Sequence, residues 1–160
     1  MPTDVSIGVS IEDDAGLRAL IASTHSIAVL GIKPGETEDA YRVPRYLRAA
    51  GHRILPVNPK LQSVLGEPCA ARLADLGEPV DMIDVFRASQ HIAGHVDEIL
   101  ALDPGPRCVW LQLGIRDDAS AARLEARGIA VVQDRCLLVE HRRLLGAGWM
   151  ATAAARSPAP

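Results

Sequence analysis

Five short runs of apolar residues, separated by segments of helical periodicity, restrict what this 160-residue chain can fold into. We predict strands at Ser26–Leu30, Arg53–Val57, Val80–Phe86, Cys108–Leu111 and Ile129–Val132. Runs that are apolar at almost every position are typical of strands buried on both faces, which pair in parallel beneath covering helices. The sequence therefore predicts an α/β fold, a doubly wound parallel sheet of about five strands. Right-handed crossovers leave few topologies, and among them we expect the strand order 3-2-1-4-5.

Several residues mark the ends of the intervening helices. Ser10 can cap a first helix, and Ser89 can cap the helix that follows the third strand. Gly51 can end the second helix, because glycine adopts the left-handed conformation of a helix C-terminus readily. We expect Pro44 in the first turn of that helix, where its missing N–H costs little.

The chain is expected to form one domain over residues 1–145, followed by a flexible tail over residues 146–160. The last helix of this domain is predicted at Cys136–Leu145. Residues 60–80 are expected to form short helical turns and loops.

Composition argues against several classes of partner. The net charge is −3 and only 3% of residues are aromatic, so we expect neither a basic face nor a stacking platform for nucleic acid. No apolar run reaches the ~18 residues of a membrane helix, and Met1–Ser10 lacks the pattern of a signal peptide. The odd number and uneven spacing of Cys69, Cys108 and Cys136 fit no disulfide or zinc pattern, so a cytoplasmic location is expected.

The stretch Ser26–Gly35 combines a buried strand, a break at Gly31 and a loop before a helix. Such a turn suits a phosphate, because its backbone N–H groups and the following helix N-terminus both favour negative charge. The full dinucleotide fingerprint G-x-G-x-x-G is absent, so this turn could equally be a plain connection.

Four segments meet at the carboxyl ends of the predicted strands, where ligands of such sheets bind. They are Gly31–Glu36, Asn58–Lys60, Phe86–Ser89 and Gln112–Ile115. The second of them has no carboxylate for the ribose hydroxyl of NAD, and its Lys60 instead suits an extra ribose phosphate, as in NADP or coenzyme A.

Lys33 and Arg87 would add positive charge to the same crevice, although all three cations could also be solvated surface side chains. Three functions stay open at this point. They are binding of CoA, an NADP-linked oxidoreductase that uses the same crevice, and an interaction module that meets partner chains through its last helix.

Five ordered motifs resemble the small stand-alone CoA-binding proteins, which are similar to the CoA-binding N-terminal domain of the succinyl-CoA synthetase α subunit. The motifs are Tyr41–Leu47, Pro56–Lys60, Asp84–Arg87, Trp110–Ile115 and Asp134–Cys136. The resemblance runs in register over nearly the whole domain. It implies a Rossmann-like domain that holds CoA and catalyses no established reaction.

By this resemblance, the ligand contacts come from the turn after the first strand, a lysine after the second and the loop after the fourth. Together with the strand-end reasoning, the candidate cofactor-binding residues are Gly31, Ile32, Lys33, Pro34, Gly35, Asn58, Pro59, Lys60, Phe86, Arg87, Gln112, Leu113 and Gly114. Many family members have a serine near position 33, and an arginine and a serine further along the loop. This chain has Lys33, Glu38 and Ala40 there, and Glu38 is expected to weaken the binding of an anion.

The remaining reactive residues are expected to be structural, with no catalytic or metal site. His91 and His95 have the i, i+4 spacing of a metal pair but no third ligand in the sequence, so we expect two surface histidines. Trp110 is expected to pack in the core, and Asp134 and Arg135 to form an ion pair.

Cys136 leaves two alternatives open. We expect a packed, inert thiol, as is usual for buried cysteines. The alternative hypothesis is that the pantetheine arm of CoA reaches Cys136, which then exchanges with an oxidised CoA disulfide. A protein partner or a homo-oligomer also remains possible.

Overall fold

A computed structural model describes residues 11–146 and contains the expected five-stranded parallel sheet. Its strands are β1 (Ser26–Leu30), β2 (Arg53–Val57), β5 (Met82–Val85), β6 (Cys108–Leu111) and β7 (Ala130–Val132). All four neighbouring pairs are parallel, and nearly every strand residue except those at the strand starts is buried. The prediction of a doubly wound α/β fold is confirmed.

Five helices cover both faces of the sheet. They are α1 (Asp14–Ser23), α2 (Asp39–Ala49), α3 (Ser89–Leu100), α4 (Asp118–Glu125) and α5 (Leu137–Leu144). α3 and α4 pack on one face, where Ile92 and Leu124 join the core, and α1, α2 and α5 pack on the other, around Leu17, Leu47 and Leu137. This two-faced burial explains why the strands read as continuous apolar runs.

The expected strand order 3-2-1-4-5 is wrong. The observed order is β2-β1-β5-β6-β7, so the third long strand lies beside the first one and not beyond the second. The outer edge of β2 is occupied by Ala70, whose N–H donates to the Pro56 carbonyl and whose carbonyl accepts the Asn58 N–H. Because that edge of β2 is already paired, the next long strand, β5, pairs with the free edge of β1.

The segment over residues 60–80 is also more ordered than expected. It contains a small antiparallel hairpin of β3 (Ser63–Val64) and β4 (Glu67–Pro68), then a short 3₁₀ helix at Leu73–Asp75. Only the short helical turn was expected there. The segment from 69 to 75 thereby comes next to the carboxyl end of β2.

Pro44 lies inside α2 and not in its first turn, because the helix begins at Asp39, five residues earlier. A proline at this position leaves the carbonyl of Ala40 without its helical donor. The Lys33 N–H donates to that carbonyl across 3.2 Å. The proline therefore frees an acceptor that ties the loop after β1 to the helix.

Two predicted helix caps are wrong. α1 begins at Asp14 after Asp13, and Ser10 lies outside the described residues. Ser89 is the first residue of α3 and not its cap, and its Oγ accepts the N–H of Arg116 from the loop after β6. Of the tail expected over residues 146–160, all but Gly146 lies outside the described residues.

Candidate functional site

The turn after β1 brings three strand ends together at Gly31. This glycine has a φ of +87°, and a Cβ added to it would lie 2.6 Å from the carbonyl oxygen of Phe86. Its N–H donates to the Val57 carbonyl across 3.0 Å. Only glycine combines this positive φ with such a close approach of the neighbouring backbone.

Asn58 fixes the loop after β2 against the loop after β1. Its Nδ2 donates to the Ile32 carbonyl across 2.7 Å, and its Oδ1 accepts the N–H of Lys60 across 2.8 Å. The asparagine therefore sets where the backbone of Lys60 lies. Two N–H groups of the glycine turn, those of Gly31 and Lys33, are likewise engaged inside the protein.

A cleft of about 520 Å³ opens at the carboxyl ends of β1, β2 and β5. It is lined by Leu30, Gly31, Lys33, Val57, Asn58, Pro59, Lys60, Ala71, Arg72, Phe86, Arg87, Ala88, His91, His95 and Glu98. Four basic side chains (Lys33, Lys60, Arg72 and Arg87) and one carboxylate, that of Glu98, line this cleft. In a chain of net charge −3, that concentration of positive charge favours an anion.

A second groove, of about 390 Å³, continues from the cleft past Phe86 and Arg87. Its far side is formed by Gln112, Leu113 and Ile115 from the loop after β6, together with Cys136. Leu113 is 70% exposed, which is unusual for a large apolar side chain in this fold. The groove can therefore take a long, flexible and partly apolar group that extends from the cleft.

Asp84, within β5, supports the second groove from below. It is fully buried and its Oδ1 accepts a 2.7 Å hydrogen bond from Nε2 of Gln112. Its Oδ2 has no hydrogen-bond partner, and burial raises the pKa of this carboxyl to about 7. Asp84 is the one charged residue of this otherwise apolar strand.

Lys33 is not a free cation. Its Nζ lies 3.4 Å from Oε2 of Glu38, and both side chains are about half exposed. Glu38 and Asp39 also place two carboxylates at the N-terminus of α2, beside the second groove. These charges oppose the attraction of that helix end for an anion.

We expect Glu38→Gln to bind an anion such as inorganic pyrophosphate about threefold more tightly than the wild type, because the change frees Lys33 and removes a nearby negative charge. Isothermal titration at low salt measures this. Glu36→Gln is the matched control, since it removes the same charge from the same loop. An equal gain in both variants would show that the Lys33–Glu38 pair is irrelevant.

The two histidines do not both lie on the surface as expected. His91 is exposed, but the side chain of His95 is only 20% exposed and bonds with Arg87 and Glu98. Both rings line the cleft. Within residues 11–146, no group of three or more His, Cys, Asp or Glu side chains is placed to hold a metal ion.

Trp110 is fully buried, as predicted, and its Nε1 donates to the Arg135 carbonyl across 2.8 Å. The expected ion pair between Asp134 and Arg135 is wrong. Arg135 bonds Glu140 across 2.9 Å, whereas Asp134 accepts the N–H of Gly114 across 2.7 Å. Asp134 adopts a left-handed φ of +57°, and its carboxylate holds the loop after β6 through the bond from Gly114.

The structure brings most of the predicted site residues to these two cavities. Gly31, Lys33, Asn58, Pro59, Lys60, Phe86 and Arg87 line the cleft, and Gln112 and Leu113 line the groove. Ile32, Pro34, Gly35 and Gly114 line neither, and Ile32 is fully buried. The ligand contacts of all of them stay predictions.

Arg72 and Glu98 also line the cleft, but they were not predicted from the sequence. Arg72 comes close because Ala70 pairs with the edge of β2, which no local pattern indicates. Glu98 could have been found from its i, i+3 spacing to His95, which places both side chains on one face of α3.

A parallel sheet with a glycine turn and a cationic cleft at its strand ends defines a Rossmann-like, nucleotide-binding class of domain. Residues 25–142 match the family described as CoA binding domain, and the chain belongs to that family. None of the helices within residues 11–146 is long and apolar enough to cross a membrane.

Solved structures and a curated relative agree with this assignment. A protein from Thermus thermophilus is 48% identical, with a TM-score of 0.79 over 83% of this chain and 99% of its own. A hypothetical protein from Pyrococcus horikoshii is 28% identical, with a TM-score of 0.80 over 91% of this chain and 100% of its own. The uncharacterized protein YneT of Bacillus subtilis is 28% identical over 127 residues, which is 79% of this chain and 93% of its own length.

Proposed function

We propose that this protein binds coenzyme A, free or acylated, at the carboxyl ends of its strands and catalyses no reaction of its own. The observation that carries the proposal is the cleft beside Gly31, where Lys60, Arg72 and Arg87 converge from three separate segments. Membership of the CoA-binding domain family supports the same ligand. The sequence has neither a nucleophile elbow nor a P-loop motif, so binding alone is the simpler function.

The diphosphate of CoA lies near the glycine turn in this proposal, and its 3′-phosphate lies near Lys60. Because the N–H groups of Gly31 and Lys33 already donate inside the protein, the diphosphate depends mainly on the side chain of Arg87. The groove that leads to Gln112 and Leu113 suits the pantetheine arm, which is long and has few charges. Cys136 lies at the end of this groove, where its exchange with a CoA disulfide stays a hypothesis.

Lys60→Ala is expected to weaken the binding of CoA about five- to tenfold, because a charge-assisted contact with the 3′-phosphate is lost. Dephospho-CoA lacks that phosphate and should bind wild type and variant equally. Isothermal titration of both ligands into both proteins provides the comparison. An equal loss of affinity for the two ligands would show that Lys60 does not contact the 3′-phosphate, although it would still support binding at this cleft.

NADP is the competing ligand, since its ribose also carries an extra phosphate. Titration of NADP⁺ and NADPH under the same conditions separates the two, and we expect CoA to bind more tightly than either. Tighter binding of NADPH, with no competition from CoA, would replace our proposal by an oxidoreductase. Co-purification of a stoichiometric protein partner, without any CoA binding, would instead favour an interaction module.

A further inference from the structure

Three side chains at the wall of the cleft form a continuous hydrogen-bonded chain. Nδ1 of His95 lies 2.7 Å from Oε1 of Glu98, and Nε of Arg87 donates to Nε2 of His95 across 3.3 Å. Arg87 can only donate, so Nε2 must be the unprotonated acceptor. The ring is then neutral, carries its proton on Nδ1 and donates to Glu98.

This arrangement holds Arg87 only while His95 is neutral. A proton on Nε2 removes the acceptor and places an imidazolium directly against a guanidinium. Histidine is the side chain whose charge changes most readily near neutral pH. The position of the Arg87 side chain is therefore tied to the protonation of His95.

The cleft is lined by further charged and titratable groups besides these three. They are Lys33 after β1, Lys60 after β2, Arg72 before the 3₁₀ helix and His91 on α3. Lys33 pairs with Glu38, and Arg72 lies 3.4 Å from Asp75. Glu98 is the one carboxylate among the side chains of residues 11–146 that line the cleft.

We propose that a phosphate bound in this cleft transfers Arg87 from His95 to itself and draws one proton from solvent onto Nε2 of His95. The hydrogen bond from Arg87 to Nε2 breaks, and an N–H bond forms at that nitrogen with no electron transfer. The added negative charge and Glu98 then stabilise the imidazolium, which adds positive charge beside the ligand. His95 is thus a positioning residue that makes phosphate binding proton-linked.

This inference rests on the proposed binding of CoA, and proton uptake on binding tests it. Titrating CoA at pH 7 in two buffers with different ionisation enthalpies gives the number of protons taken up. We expect a net uptake of between zero and about one proton per CoA in the wild type, greater than in His95→Gln. The ratio of wild-type to variant affinity should fall about fivefold between pH 6 and pH 8.

His91→Gln is the matched control, because His91 lies one turn earlier on α3 and lines the same cleft. CoA itself releases some proton on binding, since its 3′-phosphate has a second pKa near 6. That release is the same in all variants, and dephospho-CoA removes it. The difference in proton uptake between the wild type and His95→Gln therefore gives the protons that bind to His95.

Equal loss of uptake in His95→Gln and His91→Gln would overturn the inference, because it would not distinguish His95 from another histidine of the cleft. Uptake that is lost in His95→Gln and kept in His91→Gln supports the inference. CoA binding with equal uptake in wild type and His95→Gln, or with uptake lost only in His91→Gln, overturns the inference but leaves the proposed function intact. No binding of CoA to the wild type overturns both. If His95→Gln does not fold, Glu98→Gln serves instead and should lower the uptake, and unchanged uptake there overturns the inference.

Discussion

Replacing Asp84 by asparagine is expected to raise the free energy of unfolding at pH 8 by about 1–3 kcal/mol. Burial raises the pKa of this carboxyl to about 7, from an ordinary value of 3.8. Between these two values the folded protein binds more protons than the unfolded chain, so stability falls as the pH rises from 4 to 7. The free energy of unfolding falls by about 1.4 kcal/mol per pH unit over about three units. Ionisation of this carboxyl therefore lowers stability by about 4 kcal/mol at high pH. Asparagine removes that cost but leaves an amide donor unpaired, at about 1–3 kcal/mol.

The slope of stability against pH should change with the same substitution. Burial lowers the pKa of His141 to about 4, so its contribution to stability is complete above pH 6.5 and is lost as the pH falls through about 4. In the wild type this trend opposes that of Asp84. In Asp84→Asn the opposing trend is gone, and stability should rise with pH between 4 and 6.5.

Urea unfolding at pH 5, 6, 7 and 8 measures both effects. Asp97→Asn is the control, because Asp97 is an exposed carboxylate on α3 that pairs with Arg123. It should change stability little at any of these pH values. A loss of stability in Asp84→Asn at pH 8, with the wild-type slope, would contradict the account of a charged group in the dry core.

Gly31→Ala is expected to lower the free energy of unfolding by about 2–4 kcal/mol and to weaken CoA binding severely. The φ of +87° alone strains a residue with a side chain. In addition, the new Cβ would lie 2.6 Å from the Phe86 carbonyl, so the ends of β1 and β5 must separate. That movement displaces Arg87, which follows Phe86 at the wall of the cleft.

Gly66→Ala separates the strain of a positive φ from the steric clash of the new Cβ. Gly66 has a similar φ of +75°, but a Cβ there would meet nothing closer than Nη2 of Arg48 at 3.8 Å. We expect it to cost about 1 kcal/mol and to leave CoA binding unchanged. Denaturant unfolding and calorimetric titration of both variants decide the matter. Equal losses of stability would show that the close approach at Gly31 contributes nothing.

The sequence was sufficient for the fold class because buried parallel strands have an unmistakable pattern. Ser26–Leu30 and Cys108–Leu111 are apolar almost throughout, and each lies in the sheet at its predicted bounds. Strand order could not be obtained in this way. It depends on Ala70 covering the outer edge of β2, and such pairing between single backbone groups leaves no periodic signal.

The rule that ligands bind at the carboxyl ends of parallel strands predicted the region of the site. It did not predict the hydrogen-bond partners of the groups there. It placed Lys60 and Arg87 in one crevice, and the structure does bring them to the same cleft. The hydrogen-bond partners of Lys33 and Arg87 lie on the helices that follow these strand ends. The donation from Lys33 N–H to the carbonyl freed by Pro44 and the bond from Arg87 to His95 both depend on the exact placement of helices.

Amide chemical-shift mapping of the ¹⁵N-labelled full chain during titration with CoA tests the central claim most directly. Our account predicts saturable shifts in the segments 31–33, 58–60 and 86–91, and smaller ones in 112–114 along the groove. No shifts up to millimolar CoA would contradict it. So would shifts confined to residues near the opposite ends of the strands, such as Val80, Leu102 and Asp103.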